Sequence, residues 1–101
     1  MVTFHYGERT DRNRFIEEVI GFGNDVETFF WDKGHPNGPE YHTVTDTGII
    51  KIHNVNTGKH ITNLIARPQQ IKRYFDMEGK ECPQELLDIA YKHFLLGYNE
   101  K

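Results

Sequence analysis

"IIKIHNVNTGKHITNLIA", Ile49 to Ala66, decides the fold: two isoleucine-rich runs with alternating polar residues flank the turn-forming stretch "NVNTGK". Strand side chains alternate between faces, and Asn, Thr and Gly at the junction send the chain back antiparallel. The spacing predicts a three-residue loop of Asn56, Thr57 and Gly58, with Gly58 left-handed at a bulge. A two-residue turn would force β-branched Thr57 to positive φ. In this register Val55 pairs with Lys59 and His53 faces Ile61. Ile50, Ile52, Thr62 and Leu64 then share one face, while Ile49, Lys51, His53, Ile61, Asn63 and Ile65 share the other. His53 and His60 point to opposite faces.

Upstream, the first arm of the hairpin reaches back to Tyr41 as one long strand, bent or bulged near Gly48. The loop "GHPNGPEYH" precedes it, where Pro36 and Pro39 cannot donate ladder hydrogen bonds. Before that, "DVETFFWDK" reads as a strand with aromatics on both faces, which predicts burial on both. In "TDRNRFIEEVIGFG", Phe15, Ile16, Val19 and Ile20 recur at helical spacing, predicting a helix over 11–21 with Thr10 as its cap and Gly21 or Gly23 as its stop.

Downstream, Pro68 suits the first position of a short helix or 3₁₀ turn carrying Ile71, Tyr74 and Phe75 on one stripe. "MEGK" interrupts it. The last segment is a helix with Leu86, Ile89, Ala90, His93 and Leu96 along one side and Gly97 as its stop. A helix, a strand meander and then helices define a single α+β domain over 1–101. Its antiparallel sheet of three or more strands is packed by an N-terminal helix and one or two C-terminal helices.

A chain of 101 residues buries roughly 60–65% of its unfolded surface, enough for one thin core. With 13% aromatic residues it has the composition of a folded rather than a disordered chain. No apolar run approaches the length of a membrane span, and the N-terminus lacks the apolar stretch of a secretory signal, so the cytoplasm is the expected compartment. The single cysteine, Cys82, cannot form an internal disulfide.

Charge is segregated. Residues 47–75 hold five bases, Lys51, Lys59, Arg67, Lys72 and Arg73, and no acid, whereas residues 1–46 hold nine acids against four bases. With Tyr74 and Phe75 beside them, these cations suggest a phosphate-binding surface for RNA or another polyanion. The plainer reading is solvated lysines that guard a strand edge.

Proton transfer on a phosphodiester needs an imidazole beside a cation. His53 with Lys51 and Asn63 on one face supplies that set, and His60 with Thr62 on the other is its rival. His35, Glu40, His42 and Asp46 are the weaker metal candidates in a region that also reads as an ordinary strand connection. Neither a metal nor an organic cofactor is favoured. His93, on the apolar stripe of the last helix, reads as a hydrogen-bonded core residue. The alternative is a non-enzymatic module that docks a protein or forms a homodimer through Trp31, Tyr74 or Tyr98 and an open sheet edge.

The piece "GKHITNLIARPQQIKRYF", a late strand carrying Thr and leading into Pro and basic residues, resembles the small ribonuclease toxins of the barnase, EndoU, colicin and RelE-like superfold. That resemblance implies ribonuclease activity and carries over Thr62, Arg67 and Pro68. Helix 1 departs from it, having neither the His nor the Lys that such families often place there. The chain also looks like small uncharacterised proteins of bacterial prophages.

Overall fold

The computed structural model describes residues 9–32, 34 and 36–99, with side chains described between 11 and 96. Helix α1 (Arg9–Phe15) continues into a π-helical turn (Ile16–Ile20), followed by strands β1 (Asp25–Trp31), β2 (Glu40–Thr45), β3 (Ile49–Asn54) and β4 (His60–Ile65). Helices α2 (Pro68–Met77) and α3 (Gln84–Asn99) complete the chain. The strands form one antiparallel sheet in the order β1-β2-β3-β4, giving the expected α+β class.

The sheet has four strands because the bend expected near Gly48 is a full reversal. The Gly48 N–H donates to the Thr45 carbonyl at 3.1 Å, and Thr45 Oγ1 accepts from the Ile49 N–H at 3.2 Å. Gly48 itself is left-handed, at φ 84°. A Cβ there would lie 2.8 Å from Ala90 Cα, so the missing side chain also lets α3 approach the sheet.

Helices cover the two faces unequally. On one, Phe29, Val44, Ile50 and Ile52 pack against Ile71, Tyr74 and Phe75 of α2 and Leu86 and Ala90 of α3. On the other, Phe15 and Ile16 pack with Ile49 and Ile65, joined by Ile20 and Phe22. Phe30, at 53%, and Tyr41, at 43%, are exposed. The burial of β1 on both faces is therefore not found: Phe29 is buried, and its neighbour faces solvent.

Gly21 ends the first helix as expected, whereas the start of α1, its last turn and the end of α3 differ from expectation. Thr10 lies inside α1 and does not precede it. The Gly21 N–H donates to the Ile16 carbonyl, five residues back, and this wider turn leaves Val19 exposed while Ile20 packs inward. Helix α3 runs through Gly97 to Asn99. Among the described residues, no helix is long and apolar enough to cross a membrane.

Candidate functional site

The β3–β4 hairpin places the site. Its body has the expected register, with Ile49 opposite Ile65, Ile50 opposite Leu64, Lys51 opposite Asn63 and Ile52 opposite Thr62. Its tip does not. The Asn54 N–H donates to the Lys59 carbonyl at 2.9 Å and the Gly58 N–H to the Asn54 carbonyl at 2.8 Å, so the loop has four residues, Val55 to Gly58. Gly58 is left-handed as expected, at φ 72°. The Asn54 side chain holds this longer loop, its Oδ1 accepting from the Thr57 N–H and its Nδ2 donating to the Asn37 carbonyl.

One extra loop residue shifts the register, and a bulge between Ile52 and His53 restores it. His53 therefore faces His60, not Ile61, which packs towards the α2/α3 core. Their opposite-face assignment is corrected: the rings meet edge to face with centroids 5.2 Å apart. A four-residue loop and a bulge cancel in the rest of the strand, so alternation alone does not reveal them.

A row of ring-bearing residues crosses all four strands, because Phe30 is the register partner of Tyr41, Tyr41 of His53 and His53 of His60. Phe30 and Tyr41 are themselves 6.2 Å apart, edge to face. The next row in the same direction is Thr28, Thr43, Lys51 and Asn63. Lys51 Nζ pairs with Asp25 at 2.5 Å.

His60 Nε2 lies 2.7 Å from Asn63 Oδ1, and Asn63 Nδ2 donates to Asn13 Oδ1 of α1 at 3.1 Å. In the neutral ring, an acceptor oxygen there puts the proton on Nε2 and leaves the lone pair on Nδ1. Desolvation, the His60 ring and the Lys51 ammonium together hold His53 below the usual imidazole pKa, with Asp25 pulling the other way. Phe30, Tyr41 and Asn13 were not among the sequence candidates. Their signal is register, which only the pairing of distant strands supplies.

The other candidates lie apart from this row. Thr62 faces away in register, opposite buried Ile52, and accepts a hydrogen bond from Arg12 at 2.9 Å. Among the metal candidates, His35 lies outside the described residues, and Asp46 is at the β2–β3 turn, accepting from the Asn24 N–H. Glu40 and His42 do come together, on the α2 side of the sheet. His42 Nε2 is 2.9 Å from Glu40 Oε1 and Nδ1 is 2.6 Å from the Tyr74 hydroxyl, so both ring nitrogens are occupied. Trp31 stacks on this imidazole at 5.2 Å. Among the described residues, no group of three or more His, Cys, Asp and Glu is placed to hold a metal ion.

The five cations do not share one surface. Lys51 belongs to the open face. Lys59 lines a depression of about 390 Å³ beside Glu40, and the Arg67 guanidinium sits 5.4 Å from the centre of the Phe94 ring. Lys72 and Arg73 are exposed on α2, behind the opposite face. Among the described residues Lys59, Lys72 and Arg73 make no ion pair. Tyr74 and Phe75, expected to interleave with these cations at a surface, are 5% exposed and belong to the core. His93 Nδ1 donates to the Thr47 carbonyl at 2.7 Å.

No protein-family model, curated protein or solved structure matches this chain.

Proposed function

We propose that this chain binds single-stranded RNA across the open half of its sheet and cleaves it by acid/base chemistry at His53 and His60. The carrying observation is the ring row Phe30, Tyr41, His53 and His60, with Lys51 one row behind. Exposed rings offer sequence-tolerant stacking, worth about 1–3 kcal/mol per base. His53, held neutral near pH 7, takes the proton from a ribose 2′-hydroxyl as that oxygen attacks phosphorus. The P–O2′ bond forms and the P–O5′ bond breaks, while His60, in the imidazolium form that carries a second proton on Nδ1, delivers that proton to the leaving 5′-oxygen. The products are a 2′,3′-cyclic phosphate and a free 5′-hydroxyl. Lys51 offsets the charge that develops on the phosphoryl oxygens.

Cleavage of a labelled single-stranded RNA tests this. His53→Ala and His60→Ala should each lose at least about 10²-fold in rate, the usual worth of a positioned proton donor or acceptor. Phe30→Ala or Tyr41→Ala should weaken binding about tenfold or more. Parent-like cleavage by both histidine variants excludes the mechanism, and binding untouched by loss of either ring excludes the platform.

A second reading has its own observation. β1 is a sheet edge among the described residues and leaves Val26 41% and Phe30 53% exposed, a surface suited to edge pairing in a homodimer. Light scattering distinguishes the two: this reading requires a dimer that Phe30→Lys dissociates.

A further inference from the structure

We propose that His53 and His60 together chelate a divalent transition-metal ion, with zinc as the representative, across the bulge that joins β3 and β4. Imidazole is the nitrogen ligand such ions favour. With Zn–N about 2.0 Å and each ring nitrogen about 1.1 Å from its ring centre, two imidazoles on one tetrahedral ion keep their centroids about 5 Å apart. The observed separation is 5.2 Å, so the pair accepts an ion with little backbone movement.

The hydrogen bonds of the pair point the same way. Metal-ligating imidazoles are held by an outer acceptor on the nitrogen that does not bind the metal. His60 has this arrangement: Asn63 Oδ1 takes the Nε2 proton, Asn13 holds Asn63, and the Nδ1 lone pair remains for a ligand. The Lys51 ammonium, which lowers the His53 pKa, is itself paired with the Asp25 carboxylate, which raises it. Two imidazoles fill two positions, and water or a ligand oxygen takes the others.

Calorimetric titration of zinc chloride into the untagged chain tests the site. One equivalent should bind, and His53→Gln and His60→Gln should each weaken binding tenfold or more, since the second ligand acts at high effective concentration once the first is engaged. Neither side chain is buried, so both variants should melt with the parent when zinc is absent. A second measurement needs no variant. Ring-nitrogen NMR should show zinc perturbing His53 and His60 while leaving His42 and His93 in place. Full-affinity binding by either variant, absence of binding by the parent, or perturbation elsewhere with this pair unmoved overturns the proposal.

The inference goes beyond RNA cleavage and is separable from it. An ion on both imidazoles withdraws them from proton transfer, so zinc should inhibit cleavage. Zinc binding at the pair without any cleavage refutes the ribonuclease reading alone, and cleavage without zinc binding refutes this site alone.

Discussion

His42 and His53 sit on neighbouring strands of one sheet, and their surroundings have almost nothing in common. His42 is 6% exposed, has Glu40 on one ring nitrogen and Tyr74 on the other, and lies flat against Trp31. His53 is half-buried, touches the His60 ring and lies on the face that α1 leaves uncovered. A buried imidazole with both nitrogens bonded is part of the packing. One beside open surface and a second imidazole retains a nitrogen for chemistry. Which face of the sheet a histidine occupies separates the two roles.

Stability should therefore separate them most. His42→Ala removes a stacked ring and leaves the Tyr74 hydroxyl without its partner, and buried unsatisfied groups cost about 1–3 kcal/mol before cavity losses are added. A loss of about 3 kcal/mol is expected in urea unfolding. His53→Ala should stay within about 0.5 kcal/mol of the parent, and His60→Ala, which takes the partner from Asn63 Oδ1, should lose about 1 kcal/mol. Equal losses at all three positions would erase the contrast. The single tryptophan, Trp31, reports directly on the His42 environment by fluorescence.

Sequence patterning made one side of this contrast far more legible than the other. Ile71, Tyr74 and Phe75 on one stripe of α2, and Leu86, Ala90 and His93 on α3, follow from helical periodicity because those positions pack on the sheet, while Leu96, expected on the same stripe, is 39% exposed. The body of the β3–β4 register follows from alternation for the same reason. Phe30 resists that logic. Its type suggests a core position, yet it is 53% exposed and belongs to neither packed cluster. The His53–His60 contact was hidden by a loop one residue longer than expected, set by the Asn54 side chain and compensated by a bulge. The link from Glu40 through His42 to Tyr74 joins positions 34 residues apart, a distance no local motif spans.

The buried side also predicts an alkaline transition. Desolvation, then the Glu40 carboxylate, push the Tyr74 hydroxyl up from 10.0 to about 12, with Arg73 opposing. The folded state thus binds this proton more tightly than the unfolded chain does. Its contribution is complete below pH 10 and is lost as pH rises through about 12, a fall of about 3 kcal/mol at most from this group. Stability measured from pH 9 to 12 should decline less steeply in Tyr74→Phe, whatever that variant's starting stability. Parallel curves for parent and variant would show that Tyr74 ionises as freely as in the unfolded chain.

The smallest effect belongs to the open face and shows whether its groups act on one another. Burial lowers the His53 pKa first, and then His60 and Lys51 lower it further by charge, against the pull of Asp25. Substituting Lys51→Met removes one positive neighbour, and the His53 pKa, followed through its ring protons by NMR, should rise towards 6.5. His60→Gln should raise it further, because His60 stands ahead of Lys51 among the causes. Asp25→Asn should move it down. Because the folded value lies below the unfolded one, His53 contributes stability above pH 6.5 that is lost as pH falls through the folded pKa, and Lys51→Met should shrink that acid-side loss. A His53 titration that ignores all three substitutions would mean that the rings share a face without sharing a field. The open half of the sheet would then be a surface like any other, with no site on it.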